Sequence, residues 1–178
     1  MDISGLIKLA LEAGFSQAGE LNMGALVFSP EVREMCAADR CRSYGRSWSC
    51  PPACGSLEQI SERAARYSRG ILVQTTGQME DDFDLEAIAL TERSHRAHFD
   101  TLARQTLILF PGALPMAAGC CTRCKKCTYP DRPCRFPNKS FPSMEAYGLL
   151  VSRVCQESGL KYYYGPRTMT FTSCILTD

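Results

Sequence analysis

Several patterns on which common enzyme classes depend are scarce or missing in this sequence. Only two of its 178 residues are histidine, which leaves few candidates for histidine-based acid–base catalysis. The chain contains no phosphate-binding glycine loop, no dinucleotide fingerprint and no Ser/His/Asp arrangement. The sequence therefore offers no support for a nucleotide-dependent enzyme or a serine hydrolase.

Long hydrophobic runs and a strong net charge are also missing. The most apolar stretch, residues 107–119, is too short to span a bilayer and contains Pro111 and Pro115. The N-terminal residues lack the basic start of a signal peptide, so we expect a cytoplasmic protein with no membrane partner. A net charge of +1 argues against nucleic acid as a partner and leaves the oligomeric state open.

Cysteine, in contrast, is abundant. The chain has 11 cysteines, an odd number, and no secretion signal, which argues against a disulfide framework and favours metal binding or redox chemistry. The length and the 45% apolar content suit one metal-binding domain over residues 1–178. Nine of the cysteines lie in two segments without hydrophobic periodicity, which we interpret as loops at 36–55 and 120–141.

Helical and strand-like patterns alternate around these loops. We predict an α/β or α+β fold: a small mixed sheet with flanking helices and two cysteine-rich metal-binding loops. Apolar periodicity and capping residues predict helices over residues 3–13, after Ser29-Pro30, and over 56–68, 84–104 and 143–158. Short apolar runs predict strands over residues 25–28, 71–76, 161–164 and 169–176.

The second cysteine group has the spacing of an iron–sulfur site. Cys121, Cys124 and Cys127 follow one another in C-x2-C-x2-C steps, and Cys134 comes six residues later. Bacterial ferredoxins wrap three closely spaced cysteines around a cluster and take the fourth from further along the chain. Zinc held by four cysteines is the alternative, but zinc sites usually pair two separate C-x2-C units. The spacing therefore favours a [4Fe-4S] cluster.

The first cysteine group consists of Cys36, Cys41, Cys50 and Cys54, with spacings of four, eight and three residues. This spacing alone does not distinguish zinc from a cluster. Two prolines directly after Cys50 would stiffen the loop around its thiolate. Trp48 would either shield a cluster from water or pack in the core.

Basic residues accompany both groups. They would offset the negative charge of a thiolate-bound cluster and dock an acidic redox partner, or they would simply be solvated. They are Arg40, Arg42 and Arg46 in the first loop, and Arg123, Lys125, Lys126, Arg132, Arg135 and Lys139 in the second.

Five further residues have weaker signals. His95 and His98 share one face of a predicted helix, which favours a helix-surface role over metal binding. Cys155 and Cys174 lie in apolar segments and are expected to be small core residues. Cys120 stays open as a spare ligand, a redox thiol or a spectator.

Three segments resemble a family of uncharacterised, predicted metal-binding proteins found in anaerobic bacteria and archaea, a domain of unknown function. The resemblance covers most of the chain and implies that these cysteines bind metal. The segments are YGRSWSCPP (44–52), CTRCKKCTYPDRPCRFP (121–137) and SMEAYG (143–148).

Taken together, these patterns lead to a hypothesis of two [4Fe-4S] clusters in an electron-transfer or redox accessory protein with a protein redox partner. Two alternatives remain: a zinc-stabilised interaction module, and an iron–sulfur reductase with a bound substrate. Whether the protein is an enzyme stays open at this point.

Overall fold

A four-stranded antiparallel sheet organises the chain, in the spatial order β1-β2-β4-β3. The computed structural model describes residues 1–178. The strands are β1 (Gln17–Glu20), β2 (Arg69–Gln78), β3 (Leu114–Met116) and β4 (Thr168–Thr177). The helices are α1 (Ile3–Glu12), α2 (Pro30–Ala37), α3 (Leu57–Ala64), α4 (Leu85–Leu109) and α5 (Val151–Glu157). Short 3-10 helices lie at Met23–Ala25, Pro137–Lys139 and Glu145–Tyr147.

The two central strands pair along their whole length. β2 and β4 run antiparallel from the pair Arg69–Thr177 to the pair Gln78–Thr168. The predicted fold class, a small sheet with flanking helices, is confirmed. The sheet was expected to be mixed; its four strands pair only antiparallel, and the one parallel contact is an isolated bridge between Ala117 and Ser143.

Alternating side chains of β2 and β4 bury both faces of the sheet, as the two-residue period of a strand requires. Ile71, Val73 and Ile175 pack against α1 and α4 on one face. Leu72, Cys174 and Leu176 face the other layer, which contains α3, α5 and the turns around residues 144–149. The sheet is therefore the middle of three layers.

Capping residues begin the helices where the sequence predicted. The Ser29 hydroxyl accepts a hydrogen bond from the Val32 amide at the start of α2. Ser56 and Gln59 form the predicted capping box of α3. Asp84 accepts from the Ala87 amide at the start of α4, which continues past the predicted end at residue 104 to Leu109. No helix is both long and apolar enough to cross a membrane.

Two predicted strands are absent. Residues 25–28 contain the end of a 3-10 helix and a single bridge from Phe28 to Leu149. Residues 161–164 do not pair with the sheet. Gln74 of β2 instead holds this segment through its side chain, donating to the Lys161 carbonyl at 2.9 Å and accepting from the Tyr164 hydroxyl at 2.7 Å.

The predicted helix over residues 143–158 is broken into two. A 3-10 turn at Glu145–Tyr147 ends at Gly148, whose φ of +82° is a left-handed conformation that favours glycine. α5 begins only at Val151. This break matters for the site, because the turn lies against α2 and the first cysteine group.

Candidate metal centre

The four cysteines of the second group line one small pocket. The loop from Gly119 to Ser140 follows β3 and carries no strand, so its course depends on side-chain contacts rather than a β-ladder. The pocket wall also contains Ser47 from the first loop and the cations Arg123 and Arg135. The structure thus brings Cys121, Cys124, Cys127 and Cys134 together, all partly buried.

Hydrogen bonds to sulfur distinguish Cys127 within this pocket. Burial by itself raises the pKa of Cys127, but backbone hydrogen bonds from Tyr129 and Trp48 and the Ser47 hydroxyl outweigh it and lower that pKa. Cys134 also receives a hydrogen bond, from the Phe136 amide to its Sγ at 3.4 Å. Donors aimed at a thiol favour its thiolate form, which is the form that binds metal.

Two members of the first group meet at the 3-10 turn that ends at Gly148. Cys36 lies in the last turn of α2, with Sγ 3.7 Å from the Glu145 carbonyl oxygen. Cys54 Sγ lies 3.5 Å from the neighbouring Ala146 carbonyl oxygen. The segment 36–55, expected to be loop throughout, therefore takes its first ligand candidate from a helix.

Arg33, on α2, connects the end of the first cysteine loop to the turn at residues 145–147. Its guanidinium donates to the Ala146 carbonyl at 2.6 Å, to the Gly55 carbonyl at 2.7 Å and to Cys54 Sγ at 3.7 Å. Burial raises the pKa of Cys54, and the adjacent Arg33 charge partly lowers it again. Arg33 is thus a cation already in place beside a candidate thiolate.

Cys50 is the most buried member and lies near two other thiols. It is 6% exposed. Burial, with smaller contributions from the Cys120 and Cys41 charges, raises its pKa to about 11, although hydrogen bonds with Ser49 and Ser47 act in the opposite direction. Burial and the charges of Glu145 and Cys41 likewise raise the pKa of Cys36. The charge of Cys41 therefore acts on both Cys36 and Cys50, and the charge of Cys120 acts on Cys50.

A short serine-rich segment joins the two cysteine groups. Ser47 and Ser49 are buried and their hydroxyls lie 3.1 Å apart. The Ser49 hydroxyl accepts a hydrogen bond from the Cys121 amide at 3.3 Å. Trp48 between them donates to the Arg132 carbonyl at 3.0 Å and meets the Tyr129 ring edge-on, with ring centroids 5.0 Å apart. The two groups therefore form one continuous region of the molecule.

Comparison with known proteins identifies the family of the chain. The profile of DUF2284, described as a predicted metal-binding protein, matches residues 19–177. The chain belongs to the DUF2284 family. The match includes both cysteine groups and the turn between residues 143 and 148, and it confirms the family resemblance seen in the sequence. No curated protein and no solved structure matches the chain.

The donor set of this DUF2284 chain fits a thiolate-bound metal centre. Each group supplies four cysteines without a disulfide, and the second group adds cations and N–H donors around its sulfurs. No three Cys, His, Asp or Glu side chains stand in the arrangement that one metal ion requires. The fit rests on the shared pocket for the second group and on the donor chemistry for the first.

Three predictions outside the cysteine groups have a clear outcome. Cys155 and Cys174 are fully buried core residues, as predicted. His95 is not on the helix surface: it is 1% exposed and lies between the hydroxyls of Thr75, at 3.1 Å, and Ser173, at 2.8 Å. The long helix packs this face on the sheet, which the histidine spacing alone did not reveal.

Sequence analysis missed Arg33, Ser47 and Ser49. The one sequence signal for these residues is that they lie close to candidate ligands. Arg33 lies three residues before Cys36, and both serines lie within three residues of Cys50. Their partners at Ala146 and Cys121 are more than seventy residues away, so no local pattern predicts these contacts.

Proposed function

We propose that this protein is an iron–sulfur electron-transfer or redox accessory protein with one [4Fe-4S] cluster in each cysteine group. The observation that carries the proposal is the single pocket lined by Cys121, Cys124, Cys127 and Cys134. Four thiols around one pocket, three of them in consecutive C-x2 steps, are the ligand set that a cubane cluster uses. When bound, such a cluster supplies one-electron transfer.

The surroundings of the second group would raise the reduction potential of a bound cluster. N–H donors directed at sulfur and nearby cations both stabilise the reduced, more negative state, and hence raise the reduction potential. Here Cys127 and Cys134 receive such hydrogen bonds, and Arg123 and Arg135 line the pocket. The exposed Lys125 and Lys126 on the same loop would attract an acidic redox partner.

The first group supports a second centre beside the first. Cys36 and Cys54 flank one turn, and Cys41 lies near both Cys36 and Cys50. Because Ser47 and Ser49 connect this group to the second, electrons would pass between two neighbouring centres. Cys120, whose charge acts on Cys50, is the thiol outside the first group that would serve in place of one of its four ligands.

Metal and sulfide analysis of protein purified without oxygen tests this proposal. We expect about eight irons and a matching amount of acid-labile sulfide per chain, with absorbance that bleaches on dithionite addition, as two cubanes require. Colourless protein with stoichiometric zinc and no sulfide would overturn it in favour of a zinc-stabilised interaction module.

Single-cysteine variants assign the ligands. Cys124→Ala should lower iron by about half and spare the first centre, and Cys41→Ala should do the reverse, because each removes one of four ligands. Cys155→Ala is the matched control, since Cys155 is a fully buried core cysteine that belongs to neither group. Loss of iron in the control equal to that in either ligand variant would contradict the assignment.

A second candidate function, an iron–sulfur reductase, is favoured by a cavity that borders Cys120 and Cys121. A substrate in that cavity would lie next to a ligand of the second centre. Cys120→Ser should then retain its iron but lose turnover of any substrate that the native protein reduces; unchanged turnover would remove Cys120 from this role.

A further inference from the structure

A cavity of about 250 Å³ lies between α4 and the start of the second cysteine loop. It opens where β3 ends at Met116, so that Ser173 of β4 has no strand beside it on that side. His95 and Phe99 of α4 form part of its wall, and the chain from Ala117 to Arg123 forms the opposite wall. The cavity is smaller than the range of about 300–1,000 Å³ typical of drug-sized ligands, so it suits a small molecule.

Positive charge predominates around this cavity. Arg96, Arg123 and Lys139 line it, against the single carboxylate of Asp100. Arg96 is held by Glu92 and by the Cys120 carbonyl at 2.6 Å, and Arg123 by Asp100 and the Lys139 carbonyl. The Lys139 ammonium has no carboxylate partner. Arg96 and Arg123 are thus paired with carboxylates, and Lys139 supplies the positive charge that is left to attract an anion.

Aromatic rings provide the other half of the cavity. Phe99 and Phe141 meet edge-to-face with centroids 6.1 Å apart, and the His95 ring stacks parallel to Phe99 at 6.4 Å. The His95 ring is 1% exposed and lies deep in the cavity wall, where both of its nitrogens are occupied by Thr75 and Ser173. A ligand here would place an apolar body on these rings and a negative group at the cations.

We propose that this cavity binds a small organic carboxylate, with the carboxylate near Lys139 and Arg123 and its apolar body against Phe99 and Phe141. The inference rests on the proposed function in one respect: one wall belongs to the loop that the second metal centre would hold. Since Cys121 belongs both to that wall and to the second cysteine group, the ligand would lie directly beside the centre.

Calorimetric titration of the anaerobically purified, full-length protein with benzoate tests the proposal. We expect saturable binding of benzoate and none of benzamide, which has the same shape without the charge. Lys139→Met should weaken benzoate binding about tenfold, because it removes the unpaired cation. Lys126→Met is the matched control: it removes the same charge from the same loop but does not line the cavity, and should bind as the native protein does.

A second variant gives an effect of opposite sign. Asp100→Asn removes the only carboxylate of the cavity and frees Arg123, so benzoate should bind several-fold more tightly. No benzoate binding, equal binding of benzamide, or equal effects of Lys139→Met and Lys126→Met would overturn the proposal. Inorganic phosphate binding as tightly as benzoate would overturn the choice of an organic carboxylate.

Iron and sulfide measured on the same samples separate this test from that of the proposed function. If protein that contains zinc instead of iron binds benzoate, the proposed carboxylate site is supported and the proposed iron–sulfur function is overturned. If iron-loaded protein does not bind benzoate, the iron–sulfur function is supported and the carboxylate site is overturned.

Discussion

The imidazole of His95 lies inside the molecule, where its charged form has no solvation. Burial, followed by the charges of His98 and Arg96, lowers the pKa of His95 to about 3. The neutral ring is therefore the native form, and the unfolded chain binds the extra proton at any pH between about 3 and its ordinary value of about 6.5. The stability that His95 contributes is present above pH 6.5 and is lost as the pH falls below it.

This linkage predicts a specific effect of His95→Gln on acid sensitivity. Between pH 7.5 and pH 5.5 the native protein should lose about 1.4 kcal/mol of unfolding free energy that the variant does not lose, because one pH unit below the unfolded pKa corresponds to that amount. Urea unfolding of both proteins at the two pH values measures it. A stability difference between the two proteins that does not change with pH would contradict the assignment of a neutral His95.

Arg33 acts as a local crosslink between α2, the end of the first loop and the 143–148 turn. Arg33→Met leaves the carbonyls of Gly55 and Ala146 without their donor, and we expect a loss of about 2 kcal/mol in unfolding free energy. On the proposed function, iron bound by the first cysteine group should fall, while iron bound by the second group is retained. Arg66→Met, at an exposed arginine without a salt bridge, is the control for unfolding and iron content. Equal losses from both centres would show that Arg33 acts on the whole fold instead.

At the scale of elements, the break between the Glu145–Tyr147 turn and α5 positions the first cysteine group. Ser29, the cap of α2, donates its amide to the Gly148 carbonyl at 2.8 Å. A Cβ at Gly148 would lie 2.6 Å from Leu57 Cδ2, at the start of α3. The starts of α2 and α3 therefore converge on this one glycine, and the cysteines carried by α2 and by the loop before α3 depend on it.

Gly148→Ala should be more damaging than Gly159→Ala, although both glycines have positive φ. Gly159 has open space around it, so alanine there should cost only about 1–2 kcal/mol of conformational strain. At Gly148 the contacts with Leu57 and Ser29 add about 1–3 kcal/mol of overpacking and should displace the first centre. Unfolding free energies and iron content of the two variants measure the difference; equal costs would contradict the packing argument.

At the scale of the whole molecule, the hydrophobic core does not depend on buried side chains from the second cysteine loop. Both hydrophobic clusters are built on the sheet and its helices, and the second loop contributes no fully buried apolar residue between 120 and 141. The core should therefore survive when the centres are removed, and the loops should not keep their order.

Removal of metal by a chelator under reducing, oxygen-free conditions tests this separation. Far-UV circular dichroism should retain most of its signal, because α1 to α5 and all four strands lie outside the second loop. Trypsin should then cut quickly after Lys125 and Lys126, and slowly when metal is present. Cleavage after Lys8, in α1, serves as the internal control. Global loss of circular dichroism would show that the metal holds the core as well.

Local signals predicted much of this architecture. Capping residues located the starts of α2, α3 and α4, and β-branched runs located the centres of β2 and β4. The edge strands β1 and β3 were not predicted, because segments of four and three residues are too short to show a hydrophobic pattern. They are strands only because they pair with β2 and β4.

The cysteine spacing by itself determined that the chain carries two groups of potential metal ligands, because each group places four thiols in one short stretch of chain. Only the tertiary structure decided how the groups relate. It joined them through Ser47 and Ser49, placed Arg33 at Cys54, and left a cationic cavity beside Cys121, between α4 and the second loop. Those contacts join residues far apart in sequence, and their geometry follows from packing two helical layers on one sheet.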